Sequence, residues 1–131
     1  MKNLTELIMS SSCPWDNPYQ GTDKKVLFVC SAGILRSATA ARMYAHKYNT
    51  RCCGSADYAL VPISDNLIVW ADEIVFVNKE NYGDVGHLYD FDSFGFDSVG
   101  KKTIKVLDIP DMYEHMHPEL IKAFKDQYEN F

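Results

Sequence analysis

The sequence predicts an α/β fold built on a parallel sheet. Segments with strand character alternate along the chain with segments of helical periodicity, an order typical of layered α/β proteins. The strand segments are apolar on both faces, as in the centre of a parallel sheet. A length of 131 residues suits one domain with a sizeable core. In such folds ligands bind beyond the carboxyl ends of the strands.

The first half of the chain contains two predicted strands and two predicted helices. Residues 24–30 (KKVLFVC) form a strand, and residues 37–49 form a helix. The apolar stripe of this helix consists of Ala38, Ala41, Ala45 and Tyr48. A weaker strand is predicted over 50–56, and a short helix over 64–73 begins with Ser64 as its cap.

The second half continues the alternation after a long irregular segment. Residues 73–78 (EIVFVN) form a buried strand, and residues 79–102 are rich in glycine and predict loops, with a helix around 85–91. Residues 103–109 form the last strand, and a final helix follows with Pro118 in its first turn. The stripe of this helix consists of Leu120, Ile121, Phe124 and Tyr128.

Composition disfavours several classes of protein. The net charge of −5 disfavours a general nucleic-acid-binding surface. No apolar run approaches the roughly 20 residues that a membrane span needs, and the first residues do not resemble a signal peptide. Residues 1–23 are interpreted as an N-terminal extension, and residues 24–131 as the domain.

The four cysteines are interpreted as thiols in a reducing cytoplasm. Their spacing matches no zinc pattern. Cys52 and Cys53 are adjacent on a predicted strand, so their side chains are expected on opposite faces. The histidines lack partners at metal-ligating spacing. We therefore predict no metal and no cofactor.

The loop between the first strand and the first helix contains the strongest functional signal. Cys30 ends the strand, Arg36 begins the helix, and Gly33 between them is free to adopt positive φ. Such a loop turns backbone N–H groups towards an anion at a helix N-terminus. Arg36 adds a planar guanidinium that binds two phosphate oxygens. The predicted phosphate-binding residues are Ser31, Ala32, Gly33, Ile34, Leu35 and Arg36.

The same surroundings favour a reactive thiolate at Cys30. A helix N-terminus and a nearby cation stabilise the ionised form of a cysteine. A thiolate facing a bound phosphate predicts phosphoryl transfer to sulfur, followed by hydrolysis. Arg36 and the loop amides are suited to stabilise the transition state. Either Ser37 or Ser31 is placed to donate a hydrogen bond to the sulfur.

The stretch VLFVCSAGILRS resembles the phosphate loop of the low-molecular-weight protein tyrosine phosphatases. The resemblance covers roughly residues 25–131 and implies a four-stranded parallel sheet of order 2-1-3-4, flanked by helices. It also implies that Cys30 is the nucleophile, that Arg36 clamps the phosphate and that Ser37 stabilises the thiolate. Tyr58 lies where that family has a pocket-wall loop, so it either stacks on a substrate or simply packs on the domain.

The resemblance also implies an aspartate general acid, in an Asp-Pro-Tyr motif after the last strand. Here the chain reads IPDMYEH, and Asp111 followed by Tyr113 is the best match. An acid is required because the leaving oxygen must be protonated, and the same group then activates water. Asp108 is the alternative, and either residue can instead be a turn aspartate.

Four functions remain open on the sequence. The first is a cysteine-dependent phosphatase acting on a phosphotyrosine protein or a small phosphoester. The second is an arsenate reductase, disfavoured because no cysteine follows Cys53 to pass a disulfide along. The third is a phosphate-binding module without turnover. The fourth is a phosphocarrier domain, disfavoured because such domains do not need Arg36. Oligomeric state is left open.

Overall fold

A computed structural model describes residues 24–32, 35–96 and 102–131 of the chain. The N-terminal extension predicted over 1–23, Cys13 with it, lies outside these residues. The described strands are β1 (Lys25–Cys30), β2 (Asn49–Gly54), β3 (Glu73–Phe76) and β4 (Thr103–Val106). The described helices are α1 (Arg36–Met43), α2 (Asp65–Trp70), α3 (Lys79–Gly86) and α4 (Pro118–Gln127), with a 3-10 turn at Phe91–Phe94.

The four described strands form one parallel sheet with the order β2-β1-β3-β4. β1 lies in the centre, where Val26 pairs with Thr50 on one side and with Glu73 on the other. The predicted α/β fold class and the strand order 2-1-3-4 are therefore confirmed. The carboxyl ends of all four strands meet at one edge, and Cys30 is the last residue of the central strand.

Alternating residues of β1 pack into two separate cores. Phe28 faces α1 and α4, and its ring contacts those of Tyr44, Phe124 and Tyr128. Leu27 lies in the other core, against α2 and α3. Burial on both faces explains why β1 is apolar throughout. Cys52 and Cys53 also divide between the two cores, which confirms their predicted opposite orientation.

Several predicted helices differ from the structure in extent or position. α2 ends at Trp70, whereas the prediction extended to 73. α1 ends at Met43, whereas the prediction extended to 49. The helix predicted around 85–91 is wrong, because α3 spans Lys79–Gly86 and a 3-10 turn follows at Phe91–Phe94. Asn78 caps α3 by accepting a hydrogen bond from the Glu80 amide at 3.0 Å. This cap and the burial of Val85 outweigh the low helix propensity of the two glycines in α3.

Other local predictions hold. Ser64 caps α2, where its Oγ accepts from the Leu67 amide at 3.4 Å, and Pro118 begins α4. Leu120 and Phe124 of α4 are fully buried. The cap and the proline depend on adjacent residues, so the sequence alone specifies them.

A buried carboxylate joins the opposite edge of the sheet to α4. Glu73 is 2% exposed and accepts a hydrogen bond of 2.6 Å from the Tyr128 hydroxyl. Lys105 and Lys24 lie 3.0 and 3.5 Å from its carboxylate. Burial alone raises the pKa of Glu73, but the bond from Tyr128 and the two ammonium groups outweigh it, so the net pKa is lowered. Glu73 is therefore a structural anion, remote from Cys30.

Candidate functional site

Cys30 lies at the carboxyl end of β1 with its side chain 2% exposed. Its Sγ is 3.1 Å from Oγ of Ser37, in the first turn of α1. The Ser37 hydroxyl also lies 3.4 Å from the carbonyl oxygen of Cys53. Ser37 has one proton, which it donates either to that carbonyl or to the sulfur. The hydroxyl is thus placed to turn towards the sulfur when Cys30 is ionised.

The loop after β1 is held by the loop after β2. The amide of Ser55 donates to the carbonyl of Cys30 at 2.7 Å, and the amide of Ala56 donates to the carbonyl of Ser31 at 3.1 Å. In a trans peptide the N–H points opposite to the C=O. The N–H groups of Ser31 and Ala32 therefore point away from the β2 loop. This orientation leaves the two N–H groups on the side of the loop away from β2, where they can donate to an anion.

Gly54 makes this close approach possible. A Cβ atom at this position would lie 2.4 Å from the carbonyl oxygen of Ser31 and 2.4 Å from Cβ of Ala59. Any larger residue must therefore push the two loops apart. The glycine at the end of β2 is a condition for the geometry of the loop that follows Cys30.

Arg36 is buried at the base of the site with 3% of its side chain exposed. Nη1 donates to the carbonyl of Ile109 at 2.9 Å, and Nη2 donates to Oγ of Ser31 at 3.2 Å. Nε has no hydrogen-bond partner among the described residues, and Asp111 Oδ1 lies 3.6 Å from it. The Nε–H group of this buried guanidinium can therefore still donate a hydrogen bond to a bound anion.

The structure brings Asp111, rather than Asp108, to Arg36. Asp111 lies in the loop after β4 and is 60% exposed, so its carboxylate is free to meet a ligand. Asp108 is fixed through its backbone, which exchanges hydrogen bonds of 2.7 and 3.0 Å with the side chain of Gln127.

The Asp111 loop is docked on α1 through Thr39. Oγ1 of Thr39 accepts a hydrogen bond from the amide of Met116 at 2.8 Å and donates one to the carbonyl of Leu35 at 2.8 Å. Met116 has φ of 60°, in the left-handed region that side chains other than glycine rarely adopt. The bond from Thr39 helps to hold this strained residue and, with it, the loop that carries Asp111.

The remaining residues of the two predicted motifs belong to the loop after Cys30 and to the loop after β4. Gly33 and Ile34 lie outside the described residues. Leu35 takes the N-cap position of α1 without a side-chain cap, and Ala32 is half-buried. The ring of Tyr113 lies 5.5 Å from that of His117 and partly covers the core. Among the described residues no group of three or more potential ligands is placed to hold a metal ion.

A cavity of about 610 Å³ adjoins Ser31. Tyr58, which is 69% exposed, and Tyr89 form aromatic walls. Its polar rim includes the carboxylates of Asp57, Glu80 and Asp84. The cavity therefore has room for an organic group attached to a phosphate held by the loop.

Sequence reasoning missed the polar residues of α3 that reach this edge. Asn81 is 1% exposed, and its Nδ2 donates to the hydroxyls of Ser31 at 3.1 Å and Ser55 at 3.2 Å. Asn78 donates to the carbonyl of Ile109 at 3.3 Å. The available signal was that Asn78 and Asn81 follow a buried strand. Because the carboxyl ends of parallel strands lie at one edge of the sheet, these side chains could be expected near Cys30. The interpretation of 79–102 as loop concealed it.

Comparison of the chain with family models, with curated proteins and with solved structures finds no match. The resemblance to the low-molecular-weight phosphatases therefore rests on the loop sequence and on the strand order, and family membership stays a prediction. Within residues 24–32, 35–96 and 102–131, no helix has the length and apolar character to cross a membrane.

Proposed function

We propose that the protein is a cysteine-dependent phosphatase that hydrolyses a phosphomonoester through a phosphocysteine intermediate. One observation carries the proposal: a thiol at a strand end and a buried guanidinium with an open Nε share one loop, and a carboxylate lies 3.6 Å from that Nε. A nucleophile, an anion clamp and an acid are what phosphoryl transfer to sulfur requires.

In the first step the Cys30 thiolate attacks phosphorus. The P–S bond forms while the P–O bond to the leaving group breaks, and protonated Asp111 gives its proton to the leaving oxygen. The guanidinium of Arg36 and the loop amides bind the oxygens that gain charge in the transition state. Binding of the phosphate displaces the Asp111 carboxylate from Arg36, because both compete for the same donor.

In the second step water replaces sulfur. Asp111, now a carboxylate, takes a proton from water as the water oxygen attacks phosphorus. The P–S bond breaks and the electron pair returns to sulfur. Ser37, 3.1 Å from Sγ, donates a hydrogen bond to the departing thiolate. Inorganic phosphate then leaves and the site is restored.

The substrate is proposed to be a phosphotyrosine protein or a small phosphoester. The cavity beside Ser31 supports an organic leaving group, and the aromatic side chains of Tyr58 and Tyr89 suit a ring. Membership of the low-molecular-weight phosphatase family and a cytoplasmic location are parts of the same proposal. The described cysteines Cys30, Cys52 and Cys53 are buried and form no disulfide with one another, which suits a reducing compartment.

Hydrolysis of p-nitrophenyl phosphate under reducing conditions, between about pH 5 and 7, tests the proposal. The protein as it stands is expected to release p-nitrophenolate, and Cys30→Ser is expected to abolish the release. Cys52→Ala is the matched control, because Cys52 is equally buried but lies in the core. Absence of activity in the intact, reduced protein contradicts the proposal and favours a phosphate-binding module.

A further inference from the structure

A chain of hydrogen bonds runs from the guanidinium of Arg36 to an acid on α3. Arg36 Nη2 lies 3.2 Å from Oγ of Ser31, which lies 3.1 Å from Nδ2 of Asn81. The same Nδ2 lies 3.2 Å from Oγ of Ser55, and that hydroxyl lies 2.8 Å from Oδ2 of Asp84. These hydrogen bonds cross from the loop after β1 to α3, and three of the residues, Ser31, Ser55 and Asp84, line the cavity.

The two end groups of this series of hydrogen bonds determine which atom donates and which accepts in each bond. A guanidinium only donates and a carboxylate only accepts. Ser55 therefore gives its hydrogen to Asp84 and must accept from Asn81. This requirement turns the NH₂ of Asn81 towards both serines, and its Oδ1 is left without a partner among the described residues. The amide orientation thus follows from the network rather than from the position of one atom.

Among the described residues, the Ser31 hydroxyl consequently accepts two hydrogen bonds and donates none. Its Oγ accepts from Arg36 and from Asn81, and a hydroxyl has two acceptor positions and one donor. The donor has no acceptor among the described residues. Ser31 is half-buried and lines the cavity, so its hydrogen is available to a ligand held by the loop.

We propose that the Ser31 hydroxyl donates a hydrogen bond to the bound phosphoryl group, and that Asn81 is the positioning residue that fixes this orientation. The inference rests on the proposed function for the identity of the anion. It adds a side-chain donor to a loop that binds through its backbone and Arg36. Asn81 lies outside the loop and acts only through Ser31 and Ser55.

Inorganic phosphate is the probe, and its dissociation constant is measured by calorimetry on the full chain under reducing conditions. Ser31→Ala is expected to weaken phosphate binding about tenfold, since a hydrogen bond to a charged group is lost. Asn81→Ala is expected to weaken binding by a similar factor. The double variant is expected to bind within about twofold of Ser31→Ala alone, because Asn81 acts through the same hydroxyl.

Ser93→Ala is the matched control. The exposed Ser93 hydroxyl donates to Oδ2 of Asp90 at 2.8 Å, and neither residue lines the cavity. The phosphate affinity of this variant is expected to stay unchanged. If Asn81→Ala does not fold, Asn81→Asp replaces it, because a carboxylate of the same size draws the Ser31 hydrogen to itself. That variant is expected to weaken phosphate binding at least as much as Ser31→Ala.

The outcomes separate this inference from the proposed function. Unchanged phosphate affinity in Ser31→Ala, or losses that multiply in the double variant, overturn the inference even if the protein hydrolyses p-nitrophenyl phosphate. Coupled losses in a protein without turnover uphold the inference and refute the proposed hydrolysis. No binding of phosphate by the unaltered protein overturns the inference, whereas the proposed hydrolysis is tested separately with p-nitrophenyl phosphate.

Discussion

The Nε atom of Arg36 lies 3.6 Å from Oδ1 of Asp111, although one residue is buried at the start of α1 and the other is exposed after β4. This ion pair brings the proposed phosphate clamp and the proposed general acid together. Because one partner faces solvent, a bound phosphate can replace the carboxylate without a large rearrangement. The pair therefore marks the place where the substrate's phosphate is expected to bind.

Replacement of Arg36 by lysine is expected to lower kcat/KM for p-nitrophenyl phosphate by roughly a hundredfold or more, as for the loss of an oxyanion donor. An ammonium cannot reach the Ile109 carbonyl and Ser31 Oγ while also presenting a donor to phosphate. Arg42→Lys, on the exposed side of the same helix, is the control. Equal activity of the two variants would show that Arg36 does not clamp phosphate.

Replacement of Asp111 by asparagine is expected to affect poor leaving groups most. An alkoxide or phenolate needs a proton as it leaves, whereas p-nitrophenolate needs little. The kcat/KM for phosphotyrosine, which reports the transfer of the phosphoryl group to Cys30, is expected to fall by roughly 10²-fold or more, and the kcat/KM for p-nitrophenyl phosphate by much less. Asp108→Asn is the matched control. If Asp108→Asn shows the leaving-group dependence instead, the acid has been assigned to the wrong aspartate.

Addition of a methyl group at Gly54 is expected to disturb the phosphate loop. The new Cβ would lie 2.4 Å from the Ser31 carbonyl oxygen, and overpacking of this kind costs about 1–3 kcal/mol. Gly54→Ala is therefore expected to lower both the denaturation midpoint and the affinity for phosphate.

Gly83→Ala is the control for this substitution, because no neighbour lies within 4 Å of its added Cβ. On helix α3 it is expected to raise stability by up to about 1 kcal/mol and to leave phosphate affinity unchanged. Unaltered stability and affinity in Gly54→Ala would show that the two loops tolerate separation.

Acid stability is expected to depend on Glu73. Burial raises its pKa, but Tyr128, Lys105 and Lys24 outweigh burial and lower the net pKa below its ordinary value of 4.5. A carboxylate with a lowered pKa in the folded state contributes stability above its unfolded pKa, and this contribution disappears as the pH falls through the folded value.

Glu73→Gln is therefore expected to be less stable near neutral pH and to lose less stability on acidification below 4.5. Urea denaturation at a series of pH values measures both effects. Glu119→Gln, at an exposed position of α4, is the control. If Glu73→Gln loses as much stability at low pH as the unaltered protein does, Glu73 does not determine the acid stability.

Much of the fold could be predicted because its signals are local. The apolar run of β1, the cap at Ser64 and Pro118 at the start of α4 depend on adjacent residues. The sheet followed from the alternation of such elements. In the same way Cys30, Arg36 and Ser37 belong to one short segment, so their proximity was predictable.

The remainder depends on contacts between distant segments. Asn81 meets Ser31 only because α3 follows β3 beside the central strand. The glycines of α3 concealed the helix itself. Nothing in the sequence around Thr39 predicts its hydrogen bond with the Met116 amide. The motif already favours Asp111 over Asp108, but the ion pair of Asp111 with Arg36 is likewise a contact between distant segments.

The most direct test of the proposed mechanism is to trap the phosphoenzyme. Asp111→Asn is mixed with p-nitrophenyl phosphate and quenched in acid within the first turnover, and mass spectrometry then locates the phosphoryl group. The leaving group departs without an acid, but water is poorly activated, so the intermediate is expected to accumulate on Cys30. Turnover without a phosphoryl group on Cys30, or with one on another residue, would contradict the mechanism.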